Sequence, residues 1–312
     1  MSWFEKLQNL DRRYIYIVVA LCIIIPFTFT FHTNTYTTEP VENIYQLIDS
    51  YAGREDRAIL LSIEHDPSTS PELQPMEIAI VRHCFERGVK VFFLTFRITA
   101  SPIIDYVINT TKEEFADIQS GVDYVNFGYK PAALYLPIIL GMGDDIAEAV
   151  ETDSEGRKLN NLEIMKGIKN YNEMNLVVEF SGSSYGFGWI TYARSRFGAN
   201  VAAGITAVMA ADTYPYIQSG QLVGVLGGLK GAAEYEKLVD LFAVNQLEFS
   251  KEQEKQTFPR INNDDILYKF KTARIGMNAQ NVAHVMIIVF ILIGNIGYFL
   301  ERRRKNKQGE GS

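Results

Sequence analysis

Gly182 to Gly186 reads GSSYG, which has the G-x-S-x-G spacing of a nucleophile elbow. It follows the apolar run Leu176–Phe180 (LVVEF) and precedes a helical pattern over Phe187–Phe197. A sharp strand-to-helix turn there exposes the Ser184 hydroxyl for attack on an acyl carbon. Such a serine needs a histidine base further along the chain. The only later histidine is His284, inside an apolar run near the C-terminus, and His65 comes before the serine. A Ser184–Lys230 dyad is the other pairing, and no spacing brings those two residues together. The simpler reading is a Gly/Ser turn whose backbone amides cap the next helix and can hold an anion.

The other chemistry-bearing residues also follow apolar runs. Glu64, His65 and Asp66 follow RAILLSIE. Thr95, Arg97 and Thr99 end or follow VKVFFLTF. Lys130 follows DYVNFG, Ser181 and Ser183 follow LVVEF, and Asp212 comes after NVAAG. The expected ligand-binding set is Glu64, His65, Asp66, Arg97, Lys130, Ser181, Ser183, Ser184 and Asp212. A metal or acid–base site at His65 requires Asp212, Asp123 or Asp144 to converge on it, because adjacent residues rarely point to one centre. Loop hydrogen bonds and a turn at Asp66-Pro67 explain the same residues more simply. No metal and no cofactor are expected. Gly224–Gly231 (GVLGGLKG) lacks both G-K-[ST] and G-x-G-x-x-G, so its glycines read as close-packing positions. Asn109-Thr110-Thr111 matches a glycosylation acceptor.

One alternation positions all these groups. Apolar runs at Arg57–Glu64, Val89–Phe96, Asp123–Gly128, Leu176–Phe180, Asn200–Gly204 and Leu222–Leu226 are separated by helical patterns. The helices are expected over Gln74–Arg87 with Gly88 as its cap, from Ser101 to about Asn109, and over Leu134–Leu140, Asp145–Val150, Leu162–Lys169 and Ala232–Ala243. Strands apolar on both faces and spaced by helices predict a doubly wound, Rossmann-like α/β fold with a mostly parallel sheet of five to six strands. Ligands in such folds sit beyond the carboxyl ends of the strands. Tyr216–Gly220 followed by Leu222–Leu226 resembles the C-terminal lobe of solute-binding proteins over a small part of the chain, and no residue roles carry over from it.

Two long apolar runs flank this region, Tyr14–Phe31 and Val282–Leu300. As helices they are roughly 27–29 Å long, close to the hydrocarbon thickness of a bilayer. Lys6, Arg12 and Arg13 precede the first, and Arg302, Arg303, Arg304, Lys305 and Lys307 follow the second. The positive-inside rule puts both termini in the cytoplasm and the bulk of the chain on the far side. The expected order is a cytoplasmic N-terminus (1–13), a span (14–31), an extracytoplasmic domain (32–247), a connector (248–281), a second span (282–300) and a basic cytoplasmic tail (301–312). Pro26 is expected to kink or end the first span. Gly294, Asn295 and Gly297 are candidates for helix association within the bilayer.

Of 30 basic and 37 acidic residues, 8 and 4 lie at the two ends, which leaves 22 against 33 for positions 32–300. An acidic bulk is a poor partner for nucleic acid. Cys22 and Cys84 fall in different elements, so no disulfide is expected. The expected function is that of a structural or ligand-binding subunit in a homo-oligomeric membrane complex, whose partners are the lipid bilayer, other copies of the chain and other membrane proteins. The alternative is a membrane-anchored hydrolase using Ser184, or a site near His65.

Overall fold

A computed structural model describes residues 12–29, 36–115, 117–183, 188–243 and 272–309. Residues up to Asn34 and from Ile275 onward form one compact unit, and Thr35–Arg274 form another.

The second unit is built on six parallel strands: β1 (Ala58–Glu64), β2 (Lys90–Thr95), β3 (Tyr124–Tyr129), β4 (Leu176–Ser181), β5 (Asn200–Ile205) and β6 (Gly224–Gly227). Their order is β3-β2-β1-β4-β5-β6, and every neighbouring pair is parallel. Parallel neighbours need crossovers, so helices cover both faces. Every residue of β1 and of β4 is buried. Alternation sends Leu60, Phe92, Leu94, Val177 and Val201 into one core, with Ile138, Met142, Trp189 and Ile190 from the covering segments. These segments are α5 (Tyr135–Gly141), α6 (Ile146–Val150) and a π-type turn, Trp189–Arg194, that runs into α7 (Ser195–Phe197).

The other core lies under α2 (Glu39–Asp49), α3 (Ser70–Arg87), α4 (Ser101–Lys112) and α9 (Gly228–Ala243), with α3 packed against α4, α9 and the sheet. α8 (Ala210–Gln218) joins β5 to β6. Gly88 closes α3 with a left-handed φ of 64°. The Asp145 carboxylate accepts from the Ala147 and Glu148 amides and starts α6.

Three expectations change. Leu162–Lys169 is not a helix but contains a 3-10 turn, Glu163–Met165, and Gly167 at φ 78° ends the run. β1 and β4 are not apolar on both faces, because each carries a polar pair at its carboxyl end. The last helix, α10 (Thr272–Gly309), begins ahead of Val282 within the expected connector. The reason is a cap from a distant helix: Glu236 on α9 accepts from the Ala273 amide (2.9 Å) and the Arg274 amide (3.2 Å), and Arg274 pairs with Asp240.

The first unit contains α1 (Arg12–Thr28) and most of α10. Thr272–Leu300 is long and apolar enough to cross a membrane, whereas Arg13–Thr28 is a shorter apolar helix. Pro26 lies inside α1 near its end.

Edge strand β6 is covered closely by α2. A Cβ added at Gly224 would sit 2.0 Å from the Pro40 carbonyl and 2.7 Å from Ile44 Cγ1. Gly224→Ala should therefore lower unfolding stability by at least about 1–3 kcal/mol. Urea titration of the detergent-solubilised protein checks this, and an unchanged midpoint would show that α2 does not need so close an approach.

Candidate functional site

β1 ends Leu60-Leu61-Ser62-Ile63-Glu64, and β4 ends Val178-Glu179-Phe180-Ser181. With a period of two, Ser62 and Glu64 share a face, as do Glu179 and Ser181. The register sets Ser62 beside Glu179 and Glu64 beside Ser181. Four polar side chains thus meet at the carboxyl ends of the two central strands. In this strand order that is the topological switch point, where the chain reverses its direction of winding and a crevice opens.

Trp189 and Tyr135 cover the patch. The Trp189 indole Nε1 donates to Ser62 Oγ (3.1 Å), and that hydroxyl donates to Glu64 Oε1 (3.1 Å). The Phe96 amide donates to the same oxygen (2.9 Å). The Tyr135 ring meets Phe96 edge-on at 4.7 Å and Trp189 at 6.5 Å. Its hydroxyl rests on Gly188, where a Cβ would approach to 2.0 Å. Glu179 is 1% exposed, and neither of its carboxyl oxygens has a hydrogen-bond partner.

Burial pushes the Glu64 carboxyl up to about 7, against the opposing pull of the Phe96 and Ser62 hydrogen bonds and the Arg97 and His65 charges. Burial, with a smaller contribution from Glu64, holds Glu179 well above the carboxylate range. Burial and these two carboxylates also raise the Tyr135 phenol. The pair therefore keeps protons at a pH where exposed glutamates have none.

Around this floor runs a charged rim. Arg97 reaches Asp66 (3.1 Å) and Ser183 Oγ (3.3 Å), and Thr99 donates to Asp66 (2.6 Å). Ser181 Oγ donates to the Ser183 carbonyl (2.7 Å). His65 lies beneath: Nε2 is 2.6 Å from Glu77 Oε1, and Nδ1 is 3.1 Å from the Asp66 carbonyl. Burial alone would depress His65, but the Glu77 hydrogen bond and the Glu77 and Asp66 charges outweigh it and leave the imidazole raised. With Glu77 on one nitrogen and the Asp66 carbonyl and Thr69 hydroxyl (3.2 Å) on the other, the ring fastens the β1–α3 loop.

The structure thus brings together Glu64, His65, Asp66, Arg97, Ser181 and Ser183. Ser184 lies outside the described residues. Lys130 is elsewhere: its ammonium caps the Val150 (3.2 Å) and Thr152 (3.0 Å) carbonyls. Asp212 is exposed on α8. Lys230 pairs with Glu234, which also accepts from the Thr38 amide (2.8 Å) and hydroxyl (2.7 Å). Thr111 is buried and donates to Val107 within α4, so the glycosylation pattern is not presented as an open loop. On α10, Gly294 and Asn295 are exposed and Gly297 is buried. Among the described residues, no group of three or more His, Cys, Asp or Glu is placed to hold a metal.

Sequence reasoning missed Glu179, Tyr135 and Trp189. The available signal was an acidic and a hydroxyl residue two apart at the ends of two otherwise apolar runs.

The raised carboxyls set the sign of a pH effect. A folded-state pKa above the ordinary 4.5 means that the folded chain binds the proton more tightly, so Glu64 stabilises fully below 4.5 and loses that contribution as pH rises through about 7. Glu64→Gln should shrink the stability difference between pH 5 and pH 8 by about 2–3 kcal/mol in urea titrations. An unchanged difference would mean that Glu64 ionises as freely folded as unfolded. Comparison of the chain with protein-family models, curated proteins and solved structures returned no match.

Proposed function

We propose that this chain is a membrane-anchored, extracytoplasmic α/β domain that binds a ligand at the carboxyl ends of β1 and β4 and works as a subunit of a homo-oligomeric membrane complex. One observation carries the reading: Glu179 is fully buried at the switch point with neither carboxyl oxygen paired. A buried polar group without a partner costs about 1–3 kcal/mol. A fold keeps that cost where something else supplies the partner.

The apolar stretch of α10 and its basic flank support anchoring at the C-terminus. In this reading Tyr14–Phe31 is a second anchor, and two anchors fix the orientation of the domain for lateral association. Ile98 (69% exposed) and Val208 (87% exposed) follow β2 and β5, so apolar surface lies at the same end of the sheet as the crevice. The hydrolase alternative gains nothing from His65, whose two nitrogens are held by Glu77 and the Asp66 carbonyl.

Gentle detergent extraction should yield a particle several times the 35.3 kDa chain mass. A monodisperse monomer at physiological concentration removes the subunit reading. Topology is tested separately with Asp212→Cys, since Asp212 is exposed and both native cysteines are buried. A membrane-impermeant maleimide should label that variant in right-side-out vesicles. Labelling only after permeabilisation would put the domain in the cytoplasm.

A further inference from the structure

We propose that the crevice between β1 and β4 takes a monocationic primary amine, its ammonium seated between Glu64 and Glu179 and its apolar part against Tyr135, Trp189 and Phe96. This rests on the ligand-binding reading above and adds the chemical class.

The register fixes the spacing. Glu179 lies two residues before the partner of Glu64 on the adjacent strand. Strands about 4.8 Å apart with a rise of about 3.3 Å per residue place the two Cα atoms roughly 8 Å apart, with both side chains on one face. Two glutamate side chains on that face can bring both carboxyls to one small group. Glu64 Oε1 already accepts from Phe96 and Ser62, which leaves Oε2 to take a further donor. Both Glu179 oxygens are unpaired. With both carboxyls ionised the three open positions are all acceptors, and an ammonium brings three N–H donors.

Charge narrows the class further. The charge acting on Glu179 is that of Glu64, which is negative. An anion is therefore repelled. A divalent metal lacks the third ligating side chain among the described residues. A neutral hydroxyl has one donor for three acceptors. The aromatic rings add cation–π attraction, which no anionic or neutral head group would gain.

The titratable groups acting on Glu64 and Tyr135 are Glu179 from β4, Tyr171 ahead of β4, Tyr192 from the π-type turn, and Arg97 and His65 from the rim. Burial raises both carboxyls, and Glu64, pushed up to about 7, holds its proton below neutral pH and above it is free to receive the ammonium. Binding therefore releases protons to solvent, and affinity rises with pH while the amine stays protonated.

The test is calorimetric titration of the full-length protein in mild detergent at pH 6 and pH 8, with n-butylammonium, n-butanol and butyrate as probes. Butylammonium should bind at least tenfold more tightly at pH 8 than at pH 6, with a heat that changes with the buffer's own ionisation enthalpy. Glu179→Gln should weaken it at least tenfold while circular dichroism is unchanged, and butyrate should not bind. Equal binding of butanol or butyrate, unaffected by Glu179→Gln, would overturn the amine assignment and leave a ligand site of another class. Silence from all three probes would overturn it as well, whereas the subunit reading stands or falls on particle size.

Discussion

The centre of this domain depends on the desolvation of two glutamates. Central strands of a parallel sheet are covered on both sides, and their interiors admit little besides apolar side chains. β1 and β4 follow that rule until their last residues, where Ser62, Glu64, Glu179 and Ser181 break it on one face. The break is partly repaired. Glu64 is tied to the Phe96 amide and to the Ser62 hydroxyl, and Ser62 is held by the Trp189 indole. Glu179 is left unrepaired. α5, the π-type turn and the end of β2 supply the residues around these carboxyls, Tyr135, Trp189 and Phe96.

The opposite face shows how the same chain buries polar groups with partners supplied. His83 stacks on Tyr45 with ring centroids 4.0 Å apart, and its Nδ1 lies 2.8 Å from the Tyr235 hydroxyl. Burial depresses the His83 imidazole, so it sits there as a neutral ring. Nearby, Glu236 and Asp240 are each pushed up to about 7 by burial, against the pull of Arg274. Glu236 nonetheless has two backbone amides to accept from, and Asp240 has the guanidinium. A carboxyl can therefore be buried with partners in this fold, and among the described residues Glu179 is the one with both oxygens buried and without a hydrogen bond.

Much of the architecture was legible because parallel sheets advertise themselves as apolar runs separated by helices. Six such runs became six strands, and Gly88 ended α3 as its type implies. The rim was also readable, since strand-end loops are where this fold keeps polar residues. Asp66, Arg97 and Ser183 converge at that end. The floor was not readable for a physical reason. Glu179 sits within LVVEF, and one acid in an apolar run resembles a strand end, while its neighbour Glu64 becomes its partner only through a register that sequence does not print. Lys130 and Lys230 misled in the opposite way. A lysine beside glycines or after a strand suggests ligand contact, yet each is occupied locally, one by helix-terminal carbonyls and the other by Glu234. The early start of α10 was hidden because its cap comes from Glu236 on another helix rather than from its own flanking residue.

The π-type winding of Trp189–Arg194 constrains how this stretch can change length. Such a turn accommodates one residue more than the usual helical count. That slack is already used, so one further residue would swing everything on the far side of the insertion by about 100°. The indole would then leave Ser62, and the carboxyl floor would lose its lid. Surface connections usually absorb insertions and deletions; this one behaves like a spring wound to a fixed number of turns.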